Sequence, residues 1–239
     1  MIIALFLFLL TLVSPQRVSA LYDPTSVPNN KFGMLVVDTN DIAELPALLN
    51  STGGDWGYVT LVIPNSDRDR DKWQRIFDQL RRLHLIPIVR LATHIQGAAW
   101  SKPTENDTRD WISFLSGLNW PTENRYVIIF NEPNHAKEWG GIIDPEEYAR
   151  VLMTFTKELK SVSEDFFVLP AGLDASAASD TQSLDEEVFL TRMKESEPTV
   201  FEQIDGWTSH SYPNPGFSGS PDAVGRGTLR TYQWEKNIL

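Results

Sequence analysis

Short apolar runs alternate with amphipathic stretches along most of this chain, and the alternation is regular. Runs with few polar residues are typical of strands buried on both faces of a parallel sheet, whereas apolar residues three and four positions apart are typical of helices. The pattern predicts six strands, over residues 32–37, 58–63, 86–91, 126–130, 166–170 and 204–209.

A stretch with helical spacing follows every predicted strand. The clearest covers residues 145–162, where Tyr148, Leu152 and Phe155 share one face. Asp144 stands immediately before this stretch, in the position of an N-cap. The remaining helices are predicted over residues 42–49, 69–83, 108–118, 184–193 and 228–239.

Repeated strand–helix units predict an α/β fold with parallel strands, either a doubly wound sheet or a (β/α)₈ barrel. The Gly-rich phosphate loop of nucleotide-binding doubly wound proteins lies between a strand and its helix. Here the Gly-rich segments 216–219 and 225–227 both lie in a long loop after the sixth strand. We therefore favour a partial (β/α)₈ TIM barrel that contains about six of the eight βα units.

The first residues have the pattern of a secretory signal peptide. Residues 1–13 are almost wholly apolar, a polar break follows, and Val18, Ser19 and Ala20 supply the small residues of a cleavage site. The apolar run is shorter than the roughly 20 residues that span a bilayer. We expect residues 1–20 to be cleaved from a secreted protein, the alternative being a membrane anchor that is retained.

Charge and composition narrow the classes of molecule that this protein could bind. The 239 residues carry a formal net charge of −11, which disfavours binding to nucleic acid or to anionic lipid, so we expect no stable membrane association after signal cleavage. There is no cysteine and hence no disulfide. Eight tryptophans offer broad apolar faces for a core or for a ligand.

Polar residues follow the fourth strand directly. The carboxyl ends of parallel strands share one edge, which is where barrels place their sites. Glu132 stands there between Asn131 and Pro133. We expect the apolar surroundings to raise the pKa of Glu132, and Pro133 to restrict Glu132 to extended backbone. An isolated Glu-Pro pair would more often be a solvated loop.

The motif Asn131-Glu132-Pro133 after a fourth strand, together with His210-Ser211-Tyr212 after a sixth, resembles the clan A glycoside hydrolases, a cellulase-like TIM-barrel superfamily. The resemblance covers about six of eight units. It implies hydrolysis of O-glycosidic bonds in a poly- or oligosaccharide by a retaining mechanism without metal or organic cofactor. Glu132 would be the acid/base and Asn131 would bind the sugar 2-hydroxyl. His210 and Tyr212 would line the subsite, and Tyr212 would orient the nucleophile.

Three further residues are candidates for substrate binding. Arg90 ends the third strand, where an inward-facing guanidinium can pair with a catalytic carboxylate. In the superfamily the barrel arginine stands one strand earlier, so a structural role for Arg90 is equally open. Trp139 and Trp207 flank the two motifs and could stack on sugar rings, although core packing is the more common role of tryptophan.

A retaining mechanism also needs a nucleophilic carboxylate. The only late candidate is Glu235, but no apolar run precedes it and the spacing around it indicates a helix. We therefore expect the nucleophile to lie beyond Leu239, residues 21–239 to form an incomplete barrel domain, and this polypeptide alone to be inactive. Two alternatives stay open: a secreted, non-catalytic carbohydrate-binding barrel, and a secreted α/β protein of another kind.

Overall fold

The computed structural model describes residues 21–27 and 29–239, so the predicted signal peptide lies outside the described residues. The strands are, in chain order, β1 (Gly33–Val36), β2 (Gly57–Pro64), β3 (Leu85–Ala92), β4 (Ile95–Gln96), β5 (Ala99–Trp100), β6 (Arg125–Ile129) and β7 (Phe166–Pro170). Five of them form one parallel sheet in the order β1-β2-β3-β6-β7, while β4 and β5 form a separate antiparallel hairpin.

Seven α-helices lie in the described part of the chain: α1 (Leu45–Leu49), α2 (Arg70–Arg82), α3 (Glu105–Ser116), α4 (Pro145–Val162), α5 (Glu186–Ser196), α6 (Val200–Gln203) and α7 (Thr231–Ile238). The longer ones begin at side-chain caps. Asp69 accepts a hydrogen bond from the backbone N–H of Lys72, and Thr104 and Asp107 form a reciprocal capping box. None of these helices is long and apolar enough to cross a membrane.

Successive strands of the large sheet are neighbours in space, with no reversal of strand order. A doubly wound sheet reverses its order at a switch point, whereas a barrel continues in one direction. The structure therefore confirms the predicted α/β fold with part of a (β/α)₈ barrel. Helix α4 has the predicted bounds, and α3 begins earlier than predicted because Thr104 caps it. The hairpin β4/β5 and the short α6 were not predicted, since elements this short carry no periodic pattern.

The two faces of the sheet pack differently. In β2 the helix-facing residues Val59, Leu61 and Ile63 are buried and alternate with half-buried residues on the inner face. The helix-facing residues belong to the main core, together with the apolar faces of α2, α3 and α4. A smaller cluster around Ile86 and Tyr126 lines the inner face of the sheet. Polar residues that reach the inner face therefore lie inside the partial barrel.

The predicted sixth strand is not a strand of the sheet. Residues 204–209 run beside β7, but side chains take the place of a backbone ladder. Asp205 accepts a hydrogen bond of 2.8 Å from the backbone N–H of Val168, and Thr208 donates one of 2.5 Å to the carbonyl of Pro170. The backbone N–H of Asp205 bonds to Val168 O at 3.0 Å. The carboxylate and the hydroxyl thus replace partners that a regular parallel register would provide, and the prediction of a strand over residues 204–209 was wrong.

The Asp205 carboxylate should be important for the stability of this edge, because it also binds Lys160 Nζ at 2.8 Å and both side chains are about four-fifths buried. We expect Asp205→Ala to lower the free energy of unfolding by about 1–3 kcal/mol, since the backbone N–H of Val168 loses its partner. Urea titration monitored by circular dichroism measures this. Asp222→Ala, at an exposed aspartate, is the control, and equal stabilities of the two variants would contradict the role of Asp205.

Candidate active site

The end of β6 turns through left-handed backbone. Phe130 has φ of 69° and Glu132 has φ of 36°, both unusual for residues other than glycine. By strict alternation after Tyr126 and Ile128, Phe130 would face the inside of the barrel. Instead its ring packs in the helix-side core, 5.6 Å from the ring of Phe155 on α4. Asn131 and Glu132 are consequently presented at the rim of the sheet.

The backbone of Glu132 is held on both sides. Its N–H donates to the carbonyl of Gly172 at 3.1 Å, and its carbonyl accepts from the N–H of His135 at 2.9 Å. The expectation that Pro133 would keep Glu132 extended is therefore wrong. The hydrogen bonds to Gly172 and His135 fix a tight turn, and they outweigh the preference that a following proline imposes.

Tyr148, on α4, fixes the distance between the ends of β6 and β7. Its fully buried hydroxyl donates to the carbonyl of Ile129 at 3.0 Å and accepts from the N–H of Ala171 at 2.6 Å. Ile129 is in the last pair of the ladder, with Pro170, and Ala171 is the first residue after that pair. The Tyr148 side chain thereby holds the segment of Glu132 against the segment of Gly172.

His210 meets Glu132 across the site. Its Nδ1 lies 2.7 Å from Glu132 Oε1, and each side chain is about four-fifths buried. The close approach depends on Gly172, where a Cβ atom would lie 2.5 Å from the imidazole Cδ2. The motif after β6 and the segment after β7 therefore meet as the sequence predicts, and a carboxylate and an imidazole share a hydrogen bond at the rim.

Burial is the largest single influence on Glu132 and raises its pKa, as expected from the apolar surroundings. The hydrogen bond from His210 and the charges of His210 and His135 act in the opposite direction and together prevail. The pKa of Glu132 is consequently lower than its ordinary value, and the expectation of a raised pKa is wrong. The sequence shows the apolar strand but not the two imidazoles that fold against its end.

Arg90 lies among these groups. It follows Ile86 and Ile88 at period two on β3 and thus points to the inner face. Burial lowers the pKa of its guanidinium, while the charges of Glu138, Glu132 and Tyr212 raise it. Its Nε is buried without a hydrogen-bond partner. The guanidinium of Arg90 therefore lies in the site with its Nε–H unused by the described residues.

Tyr212 lies beside His210. The two rings are 5.4 Å apart, and 41% of Tyr212 remains exposed. Burial of the phenol raises its pKa, and the negative charge of Glu132 adds to the shift. The hydroxyl is therefore protonated near neutral pH and is able to donate a hydrogen bond to a ligand.

Asn131 faces a carboxylate that the sequence analysis missed. Its Nδ2 lies 3.4 Å from Glu138 Oε2, at the end of the short 3₁₀ helix Ala136–Glu138. A cavity of about 190 Å³ opens beside this contact and is also lined by Arg90 and Trp100. Glu138 could not be found from the pattern, because a single turn of 3₁₀ helix has no periodic signal.

A second carboxylate–imidazole pair lies close enough for its charges to act on Glu132. His135 Nε2 lies 2.9 Å from Asp174 Oδ2, and Asn134 bridges the same segments by donating to the backbone carbonyls of Asp174 and Leu184. The other oxygen of Asp174 accepts from the N–H of Ser176 at 2.8 Å, so Asp174 caps a turn. The sequence places Asp174 shortly after β7 but does not reveal its pairing with His135.

The two candidate tryptophans are packed in the core or against it. Trp139 is 1% exposed, and its Nε1 donates to Glu147 at 3.0 Å. Trp207 packs with its ring 5.9 Å from that of Phe201 on α6, in the helix layer. Trp139 lines the cavity beside Asn131 but is almost wholly buried, and Trp207 packs against the core, so the stacking of these rings on sugar stays a prediction. Apolar packing decided their position, as it does for most tryptophans.

Glu235 is also remote from the rim. It lies on α7, where the sequence predicts a helix, and its carboxyl is buried beside that of Glu186 on α5. In the part of the chain that the structure describes, no group of three or more His, Cys, Asp or Glu side chains could hold a metal ion.

At the centre of the site, the carboxylate–imidazole pair of Glu132 and His210 is partly desolvated and has hydrogen-bond donors around it. Such a pair is able to take up and release a proton during a reaction. Arg90, Asn131 and Tyr212 supply a guanidinium, an amide and a phenol as neighbours, which suits a neutral ligand rich in hydroxyl groups.

Comparisons with known proteins give a distant structural likeness. No protein-family model matches the sequence, and neither does any curated protein. Among solved structures, the chain is similar to the mannotriose complex of a β-mannanase from Thermomonospora fusca, with 15% identity, a TM-score of 0.46, and coverage of 77% of this chain and 60% of that one.

A second similar structure is the catalytic domain of a mannanase from Streptomyces sp. SirexAA-E. It has 18% identity and a TM-score of 0.47, and the match covers 88% of this chain and 73% of that one. The chain thus spans less than two thirds of the length of the first mannanase. At this level of similarity, the chemistry of the site has to be inferred from the residues of this chain.

The contact with His210 should be what keeps the Glu132 carboxyl acidic. In His210→Ala the hydrogen bond and the imidazole charge are lost, burial prevails, and we expect the pKa of Glu132 to rise above its ordinary value. Carboxyl ¹³C NMR titration measures this directly. His84→Ala removes an exposed histidine and is the matched control; an unchanged Glu132 titration in His210→Ala would contradict the assignment.

Gly172 should be needed for the hydrogen bond between Glu132 and His210. We expect Gly172→Ala to displace the imidazole of His210 and to break its hydrogen bond to Glu132, because the added Cβ would lie 2.5 Å from the ring. The ¹⁵N chemical shift of His210 Nδ1 reports the loss. Gly117→Ala is the control, since its Cβ would meet only the mobile end of Arg70, and wild-type shifts in both variants would refute the prediction.

Proposed function

We propose that this protein is a secreted glycoside hydrolase that cleaves O-glycosidic bonds in a poly- or oligosaccharide, with Glu132 as the acid/base. The observation that supports it most is the hydrogen bond of 2.7 Å between Glu132 and His210, at the carboxyl ends of parallel strands. Barrel enzymes place their catalytic groups at this edge. Asn131, Arg90 and Tyr212 surround the pair and would bind sugar hydroxyls.

In the proposed reaction, Glu132 donates a proton to the glycosidic oxygen while a carboxylate attacks the anomeric carbon, and the C–O bond to the leaving sugar breaks. Glu132 then removes a proton from water, which attacks the glycosyl intermediate and releases the second sugar. The lowered pKa of Glu132 suits the second step, in which it acts as a base. For the first step the Glu132 carboxyl must carry the proton, and it regains that proton from water in the second step.

The double displacement requires a second carboxylate about 5–5.5 Å from the first. Two carboxylates are close enough for their charges to act on Glu132 or Arg90, but both are engaged: Asp174 by His135, and Glu138 by Asn131. We therefore propose that the nucleophile is a Glu that residues 21–239 do not contain. In the same proposal, residues 1–20 are a signal peptide and residues 21–239 belong to one barrel domain.

The substrate is proposed to be neutral. A formal charge of −11 repels polyanions, and the 190 Å³ cavity beside Asn131 is lined by one carboxylate and one guanidinium, which offset each other. Neutral hydroxyl groups can accept from Arg90 and donate to Glu138. The proposed reaction uses neither a metal nor an organic cofactor.

A carbohydrate-binding barrel without turnover is the second candidate function. It is favoured by the engagement of the two nearby carboxylates, because Asp174 is bound to His135 and Glu138 to Asn131, so neither is poised as a nucleophile. In that case the same donors would hold a sugar, and the Glu132–His210 pair would serve to position them.

Azide can stand in for an absent carboxylate nucleophile, and it separates the two functions. We expect the protein to cleave oligosaccharides when azide is present, with formation of glycosyl azides, and not to cleave them without azide. Glu132→Gln should reduce that rate about 10²–10⁴-fold, because the leaving oxygen is no longer protonated. Product analysis by mass spectrometry gives the rate.

Glu158→Gln, at an exposed glutamate on α4, is the matched control and should retain the wild-type rate. Saturable binding of oligosaccharides by calorimetry without azide-dependent cleavage would support the binding barrel and refute the hydrolase. Absence of binding to neutral glucans, mannans and xylans would contradict both functions.

A further inference from the structure

Two glutamates that the proposed reaction does not use are completely buried in the helix layer. Glu186 stands in the first turn of α5 and Glu235 in the middle of α7, and both have an exposed fraction of 0%. Their four carboxyl oxygens receive no hydrogen bond from any other described group. A buried ionised carboxylate without donors is strongly unfavourable, so this arrangement needs a physical explanation.

The explanation lies in the contact between the two side chains. The carboxyl of Glu186 is within hydrogen-bond reach of that of Glu235. Two carboxylates are both acceptors and cannot bond to each other, whereas a carboxylic acid and a carboxylate can. One proton between them removes one of the two charges and supplies the missing donor.

The charged groups around the pair do not neutralise it. Arg226, in the loop before α7, attracts the negative form of Glu186, whereas Asp185, the N-cap of α5, repels it. The guanidinium of Arg226 is already bound to Asp185 at 2.6 Å and lies 5.0 Å from the ring of Trp234. Arg226 and Asp185 thus largely balance each other, and burial together with Glu235 determines the state of Glu186.

We propose that Glu186 and Glu235 share a single proton at neutral pH, and that this proton fastens α7 to α5 and makes their packing sensitive to alkali. Loss of the proton would leave two adjacent carboxylates in a buried space. Mutual repulsion and desolvation would then drive α7 outward, where both could be hydrated.

Helix α7 is connected to the candidate active site, so the effect would extend there. The N–H of Tyr232 in α7 donates to Ser211 Oγ at 3.2 Å, and Ser211 stands between His210 and Tyr212. Ser211 also bonds to Ser209 at 2.8 Å. Displacement of α7 removes a support from the segment that carries the imidazole partner of Glu132.

The sign of the pH dependence follows from the direction of the shift. Burial and the contact with Glu235 raise the pKa of Glu186 to about 9 in the folded protein. The folded state therefore binds more protons than the unfolded state between the ordinary glutamate pKa and about 9. Stability is fully present below that window and falls as pH rises through it.

The unfolding constant from urea titration tests this. Between about pH 6 and about pH 9 it should rise by up to tenfold per pH unit in the wild type. In Glu186→Gln the rise should disappear, because an amide donates to Glu235 at every pH. Glu187→Gln, the adjacent exposed residue of α5, should keep the wild-type rise.

Infrared spectroscopy of the wild type gives a second test that needs no variant. We expect the carbonyl band of a protonated carboxylic acid at neutral pH and its loss in alkali. Absence of that band at neutral pH, or the same rise of the unfolding constant in Glu186→Gln as in the wild type, would overturn the proposal. So would added calcium that abolishes the alkaline loss of stability, since a cation would then hold the two carboxylates.

Discussion

The left-handed turn of the backbone at Phe130 decides which side chains reach the rim of the sheet. A regular strand would have directed Phe130 into the barrel and altered the direction of every residue after it. The ring instead packs against Phe155 on α4, and Tyr148 of the same helix holds the ends of β6 and β7 together. The position of Glu132 thus depends on core contacts that are not themselves part of the site. The free energy of apolar packing offsets the strain in the backbone.

Glu132 and Glu186 show how environment sets the state of the same functional group. Both are largely buried, and burial raises the pKa of each. At Glu132 an imidazole donates to the carboxylate and reverses the shift, whereas at Glu186 the nearest group is another carboxyl and adds to it. The fold therefore keeps a charged carboxylate at the open rim and a protonated pair in the helix layer, as electrostatics requires.

The segment after β7 joins these two regions. It runs beside the sheet through Asp205 and Thr208, presents His210 to Glu132, and continues through Ser211 to the support given by Tyr232 on α7. Side-chain hydrogen bonds hold it where a strand would have used a backbone ladder. Its position therefore depends on individual residues, and single substitutions can displace it.

The sequence by itself determined the alternation of strands and helices, the bounds of α4, and the edge of the sheet at which Asn131, Glu132, His210 and Tyr212 meet. These features arise from local periodicity, capping and the shared direction of parallel strands, all of which can be recognised along the sequence. Only the tertiary structure decided the pKa of Glu132, the burial of Trp139, and the pairing of His135 with Asp174. The tertiary structure also decided that side-chain hydrogen bonds hold the predicted sixth strand beside β7, and that Glu186 lies next to Glu235. Each of these depends on contacts between residues far apart in the chain, and no local pattern encodes which polar group will meet another after the core has packed.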